Sequence, residues 1–228
     1  MITSRVALVH TGFVLVDVLT KLFHELAPEA ELMHIVDDSL LREVLRDGEV
    51  RAPVRRRLLA YYQAAEAFKV DCILNVCSSV GDVADLARQV IQTPIIRIDE
   101  AMAEDAVSRG SRIGVAATLA TTLEPTCRLI LRKAQEAAKA ITLERALCAG
   151  AFEALTAGKP EAHDQIVLQG IRELAARKTD IIVLAQGSMA RLVERMDPEL
   201  AARTVTSPRS GVLRVRQFLQ RRNHERES

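Results

Sequence analysis

The sequence predicts an α/β fold built from two similar lobes, and three observations lead there. Short β-branched runs alternate with amphipathic stretches of helical period, the pattern of parallel strands joined by crossover helices. Residues 71–79 (DCILNVCSS) align with residues 180–188 (DIIVLAQGS), and both copies follow a helix ending in Lys, at Lys69 and Lys178. Residues 4–11 (SRVALVHT) align in the same way with residues 111–118 (SRIGVAAT). The two offsets, 109 residues (71 to 180) and 107 residues (4 to 111), are nearly equal. Two matched strand–loop pairs in the same order indicate an internal duplication. The expectation is therefore two pseudo-symmetric, Rossmann-like lobes with mostly parallel sheets.

Taken in order, strands are expected at Arg5–His10, Leu32–Val36, Asp71–Val76, Pro94–Ile98, Arg112–Ala116, Thr142–Leu147, Asp180–Ala185 and Thr204–Thr206. Each is a short apolar or β-branched run bounded by turn residues or charges. Helical periodicity places helices near Val14–Ala27, Val54–Phe68, Gly81–Ile91, Ala101–Ser108, Thr122–Ala137, His163–Arg177, Met189–Arg195 and Gly211–Arg222. The last eight residues, 221–228, alternate in charge and read as a solvated helix end.

Composition narrows the function. With 49% hydrophobic and 27% charged residues, the chain of 228 residues is expected to bury a globular core without metals or disulfides. A balance of 31 basic and 30 acidic residues argues against nucleic acid as partner, and 3% aromatics without Trp argue against base-stacking platforms. No uncharged apolar stretch approaches the roughly 18 residues of a membrane helix, so no membrane partner is expected. The four cysteines, Cys72, Cys77, Cys127 and Cys148, form no C-x-x-C pair and show no metal-ligand spacing. Without a secretory signal, the expected compartment is the reducing cytoplasm. No G-x-G-x-x-G or Walker sequence is present.

Ligands of open parallel sheets bind outside the carboxyl ends of the strands. Four loops leave such ends, and they carry His10-Thr11, Asn75 with Cys77-Ser78-Ser79, Thr118 with Thr121, and Gln186-Gly187-Ser188. If the lobes face each other about a pseudo-twofold axis, these loops converge on one cleft. Hydroxyls and N–H groups at helix starts suit a small carboxylate, although any one Thr or Ser also serves as a helix cap. Cys77 follows a strand and precedes a helix start, where unpaired N–H groups are expected to lower a thiol pKa. Cys72, Cys127 and Cys148 read as inert small hydrophobes. His10 at a strand end reads equally as a carboxylate contact or as a structural histidine. His163 and Asp164 read as helix caps; Asp99-Glu100 reads as a helix cap or as an acid orienting Cys77 or a substrate ammonium, and Arg209 as a partner for a distal carboxylate.

Cys77-Ser78-Ser79 after a strand, the Gly114–Thr121 loop, Leu184–Ser188, Ser207–Gly211 and the lobe repeat together resemble the aspartate/glutamate racemase superfamily. That group includes amino-acid and hydantoin racemases, maleate isomerases and arylmalonate decarboxylases. The resemblance implies two lobes, residues 1–97 plus 208–228 and residues 98–207, in a homodimer or larger homo-oligomer. It also implies chemistry on a small carboxylate without metal or other cofactor. In the racemases one cysteine from each lobe faces the substrate α-carbon. Cys77 matches the first, whereas Gln186 stands at the second, where an amide cannot exchange a proton as a thiol does. The resemblance thus implies racemase-type proton transfer through Cys77. Single-cysteine decarboxylation, cis–trans isomerisation and non-catalytic carboxylate binding stand as alternatives.

Overall fold

The computed structural model describes residues 4–227. The chain divides into two compact units, Met1–Ile98 with Pro208–Ser228, and Asp99–Ser207. The first unit contains β1 (Ser4–His10), α1 (Val16–Leu26), β2 (Ala30–Val36), α2 (Ser39–Asp47), α3 (Ala52–Ala67), β3 (Cys72–Asn75), α4 (Gly81–Ala87) and β4 (Ile95–Arg97). The second contains α5 (Glu100–Arg109), β5 (Arg112–Ala117), α6 (Ala120–Glu136), β6 (Thr142–Leu147), α7 (Ala151–Thr156), α8 (Pro160–Ala176), β7 (Ile181–Leu184), α9 (Pro198–Ala202) and β8 (Thr204–Thr206). Helix α10 (Ser207–Glu227) then belongs to the first unit for nearly all its length.

Each unit holds one four-stranded sheet, in the orders β2-β1-β3-β4 and β6-β5-β7-β8, with every pair parallel. The sheets are covered on both faces, which is why their central strands are almost wholly apolar. In the first, Ala7, Val9 and Ile73 pack on Leu40, Leu58, Tyr62 and Ala84 from α2, α3 and α4. Alternate residues Val6, Leu8, Cys72 and Leu74 pack on Leu19 and Phe23 of α1 and on Val212, Val215 and Leu219 of α10. In the second, Ile113, Val115 and Val183 face α5 and α6, while Ala116, Ile182 and Leu184 face α8.

The internal repeat extends to individual hydrogen bonds. The Arg5 N–H donates to Asp71 Oδ2 at 2.7 Å while Asp71 N–H donates to the Arg5 carbonyl at 2.8 Å. Arg112 and Asp180 make the same reciprocal pair at 2.8 and 2.7 Å. Lys69 and Lys178 both take φ of 57°, the left-handed turn that ends the preceding helix.

Several expectations need correction. Short helices α2, α7 and α9 lie where no helix was expected, and residues 187–195 form a 3-10 helix rather than an α-helix. The terminal segment is helical to Glu227 and mostly exposed, as expected, but it is also anchored: Arg222 and Arg226 both pair with the buried Asp71 carboxylate, at 3.5 and 3.0 Å. A buried carboxylate left alone would be costly, so it holds these two arginines. Residue 228 lies outside the described residues.

Candidate functional site

In each sheet the chain leaves the first strand towards one edge and returns to pair the third strand on the other side, so the loops after these two strands diverge. That divergence opens a crevice at the carboxyl ends of β1 and β3, and of β5 and β7. The duplicated loops sit there: Thr11 and Cys77 in the first unit, Thr118 and Gln186 in the second.

In the first crevice Cys77 is partly exposed and precedes a single 3-10 turn, Ser78–Val80. The groups placed to donate towards its sulfur, and so to draw its pKa down, are the Thr11 hydroxyl, the N–H and hydroxyl of Ser79, and the Val80 N–H, the last also directed at the Cys77 carbonyl at 3.4 Å. Ser78 and Ser79 are themselves buried. The expectation of a lowered pKa is overturned. Burial pushes the Cys77 thiol up, and the four donors recover only part of that shift. They are nevertheless placed to hold a thiolate when one forms. The other thiols are buried: Cys72 is pushed up to about 12 and Cys148 to about 11, and Cys127 is also raised by burial.

Asn75, expected among the ligand contacts, is fully buried and spent within the protein. Its Oδ1 accepts from the Tyr62 hydroxyl at 2.9 Å, and its Nδ2 donates to the Cys77 carbonyl at 3.0 Å. It therefore braces the Cys77 loop from below. Tyr62, on α3, was not singled out by the sequence. Nor was Arg97, fully buried on β4 and paired with Asp85 at 2.6 Å.

His10 takes part in a directional chain. The Thr20 hydroxyl donates its one proton to the Val16 carbonyl at 2.8 Å, so it accepts from His34 Nε2–H at 3.3 Å. His34 Nδ1 must then accept from His10 Nε2–H at 3.0 Å. The His10 Nδ1 is left as a buried lone pair without a partner. Burial and the neighbouring His34 bring the His10 pKa down to about 4, so at neutral pH it is an uncharged acceptor rather than a cation for a carboxylate. His34 sits two positions along β2 from the residue paired with His10, on the same face, which is the only sequence signal for the pair.

In the second crevice Gln186, at the end of β7, binds Thr118, at the end of β5. The Thr118 N–H donates to Gln186 Oε1 at 2.6 Å, and Gln186 Nε2 lies 2.7 Å from the Thr118 hydroxyl. The Thr121 hydroxyl oxygen is buried without a partner in the first turn of α6. Gly187 and Ser188 begin the 3-10 helix Gly187–Arg195. The Thr–residue pair of the first unit, Thr11 with Cys77, thus recurs as Thr118 with Gln186.

Two outlying expectations change. His163 and Asp164 do not cap α8, whose cap position is Lys159. Instead the buried Asp164 carboxylate binds Arg191, Arg195 and His163 Nδ1, the last at 2.8 Å. These contacts hold its carboxyl below the usual range. Arg209 pairs with Glu25 on the surface at 2.8 Å, with both side chains exposed. Among the described residues no helix is long and apolar enough to cross a membrane.

Comparison with solved structures finds the same fold. Allantoin racemase from Klebsiella pneumoniae superposes with a TM-score of 0.71 at 19% identity, over 95% of this chain and 88% of that one. Glutamate racemase from Francisella tularensis, in complex with D-glutamate, gives 0.76 at 11% identity, over 97% and 82%. A variant of arylmalonate decarboxylase gives 0.58 at 15% identity, over 94% and 92%. No curated protein sequence matches significantly. A family model described as Asp/Glu/Hydantoin racemase matches residues 9–214, and the chain belongs to that family.

Proposed function

We propose that the protein catalyses cofactor-independent proton transfer at the carbon α to a carboxylate or carbonyl of a small acid, with Cys77 as the acid/base group. The carrying observation is the position of Cys77 at the carboxyl end of β3 beside β1, with Thr11, Ser79 and Val80 placed to donate towards its sulfur. A thiolate there takes the α-proton, and the electron pair left on carbon delocalises into the adjacent carboxylate or carbonyl. Thr11, Ser78 and Ser79 are the anion-binding positions of the first unit, the Thr11 and Ser79 hydroxyls turning from the sulfur to the substrate once the sulfur carries the proton. Thr118, Thr121, Gly187 and Ser188 are the corresponding ligand-binding positions of the second unit.

Gln186 favours a second reading. With an amide at the position equivalent to Cys77, this chain has one thiol for the reaction, which suits decarboxylation with one-sided reprotonation or cis–trans isomerisation. The arylmalonate decarboxylase neighbour has the same fold. Incubation in deuterated water with a panel of amino acids, hydantoins and substituted malonates separates the readings. Deuterium at the α-carbon of both enantiomers, lost in Cys77→Ala, supports racemisation. One labelled enantiomer formed from a prochiral malonate supports decarboxylation. Binding without exchange or turnover across the panel refutes both and leaves a carboxylate-binding protein.

A further inference from the structure

We infer that Gln186 is a built-in occupant of the second unit's carboxylate position and so decides which ligands that position accepts. The inference rests on the proposal that these crevices bind small carboxylates. A backbone N–H can only donate, so the 2.6 Å contact with Thr118 N fixes the amide oxygen there. The amide nitrogen must then face the Thr118 hydroxyl oxygen, which accepts at 2.7 Å. A carboxylate would use the same two groups, accepting from the N–H with one oxygen and from the hydroxyl, turned to donate, with the other. The Gln186 side chain therefore makes the two-point contact that an anion would make, from the residue that replaces the thiol in the repeat.

A ligand carboxylate at Thr118 has to displace an amide tethered to the neighbouring strand. Tethering gives that amide an effective concentration of roughly millimolar or higher. Weak anions therefore lose the competition, and the unmodified protein accepts at this position only ligands that leave the amide in place. Cys77 meets Thr11 in the first unit without any comparable side-chain carbonyl, so the restriction belongs to Gln186 rather than to the duplicated frame.

Malonate binding to the full chain, measured by calorimetry in a Cys77→Ala background, tests this. Gln186→Ala is expected to bind at least tenfold more tightly than the parent. Adding Thr118→Val, which deletes the hydroxyl at nearly constant shape, is expected to remove most of the gain. Gln186→Glu, whose carboxylate occupies the same donors, is expected to show no gain. If circular dichroism shows Gln186→Ala to be unfolded, Gln186→Ser, too short to reach Thr118, serves instead. Equal affinity with and without the Gln186 amide overturns the inference, as does a gain that Thr118→Val leaves whole. Because Cys77 is absent throughout, this result is independent of isotope exchange. Failed exchange beside a clear affinity gain overturns the proposed reaction and leaves the role of Gln186 standing.

Discussion

Acidification should destabilise the first unit through His10 before most carboxylates titrate. The ring is buried, with Nε2 donating to His34 and Nδ1 without a partner, and its pKa falls from 6.5 to about 4. Because the folded pKa lies below the unfolded value, the unfolded chain binds a proton between these limits that the native protein refuses. Stability is therefore complete above pH 6.5, declines as pH falls and levels off near pH 4. A gap of about 2.5 pKa at 1.36 kcal/mol each caps the loss at about 3 kcal/mol, of which about 2 kcal/mol is gone by pH 5. Urea denaturation between pH 7.5 and 4.5 measures it, with His10→Gln as reference, since Gln retains a donor towards His34 without titrating. Carboxylates titrate in both proteins, as does His34, whose own pKa is lowered by burial against a pull upward from Asp17. The wild type is expected to lose more stability than His10→Gln over this range. Parallel loss in the two proteins would refute the directional chain.

Alkylation of Cys77 by iodoacetamide should keep accelerating past pH 9, because burial raises the thiol from its reference value of 9.0. Thr11→Val, which removes one donor, should move the midpoint higher still, and a rate plateau at neutral pH would contradict the burial argument. Asn75→Ala strands the Tyr62 hydroxyl in the interior and takes one of two donors from the Cys77 carbonyl, and should cost about 1–3 kcal/mol in chemical denaturation; a change near zero would show that the brace carries no load. Gly211→Ala would bring a Cβ within 2.7 Å of Ile98 Cγ1 and 2.9 Å of its carbonyl oxygen. That overpacking between α10 and the end of β4 should lower stability by about 1–3 kcal/mol, and an unchanged melting temperature would mean that α10 shifts freely.

What the sequence made legible is what local chemistry determines. Strands β6 and β8 lie where β-branched and turn residues set them, at Thr142–Leu147 and Thr204–Thr206. The repeat pairs residue 77 with residue 186, because an internal alignment carries register. Helices α7 and α9, of six and five residues, are too short to establish a 3.6-residue period. Partners distant in sequence stayed hidden for a different reason. Tyr62 under Asn75, Arg226 on Asp71 and Arg191 on Asp164 are set by which helix covers which strand end. A thiol's pKa was also out of reach. A turn N-terminus next to Cys77 is visible in the sequence, but the burial that outweighs it is a property of packing.

The two crevices share a frame and differ in the side chains placed on it: His10 against Ala117, Asn75 against Leu184, Ser78 against Gly187 and, at the position that meets the threonine, Cys77 against Gln186. Both carry a threonine at the end of the first strand, reciprocal Arg–Asp bonds at the strand starts, and left-handed lysines before the third strand. Threonine contacts residue 77 in one and residue 186 in the other. The cysteine sulfur lies one bond beyond Cβ and meets the threonine hydroxyl through a single atom, so the Thr11–Cys77 pair keeps a thiol that can exchange a proton. The glutamine amide lies one methylene further out and brings both an acceptor and a donor. It spans to the Thr118 backbone as well as to its hydroxyl, closing two polar groups onto each other. A longer, bidentate side chain therefore replaces reactivity with occupancy. Under the proposed reaction that asymmetry leaves Cys77 as the group for proton transfer, and residue 186 as the position at which a substitution should change ligand choice while leaving the thiol in place.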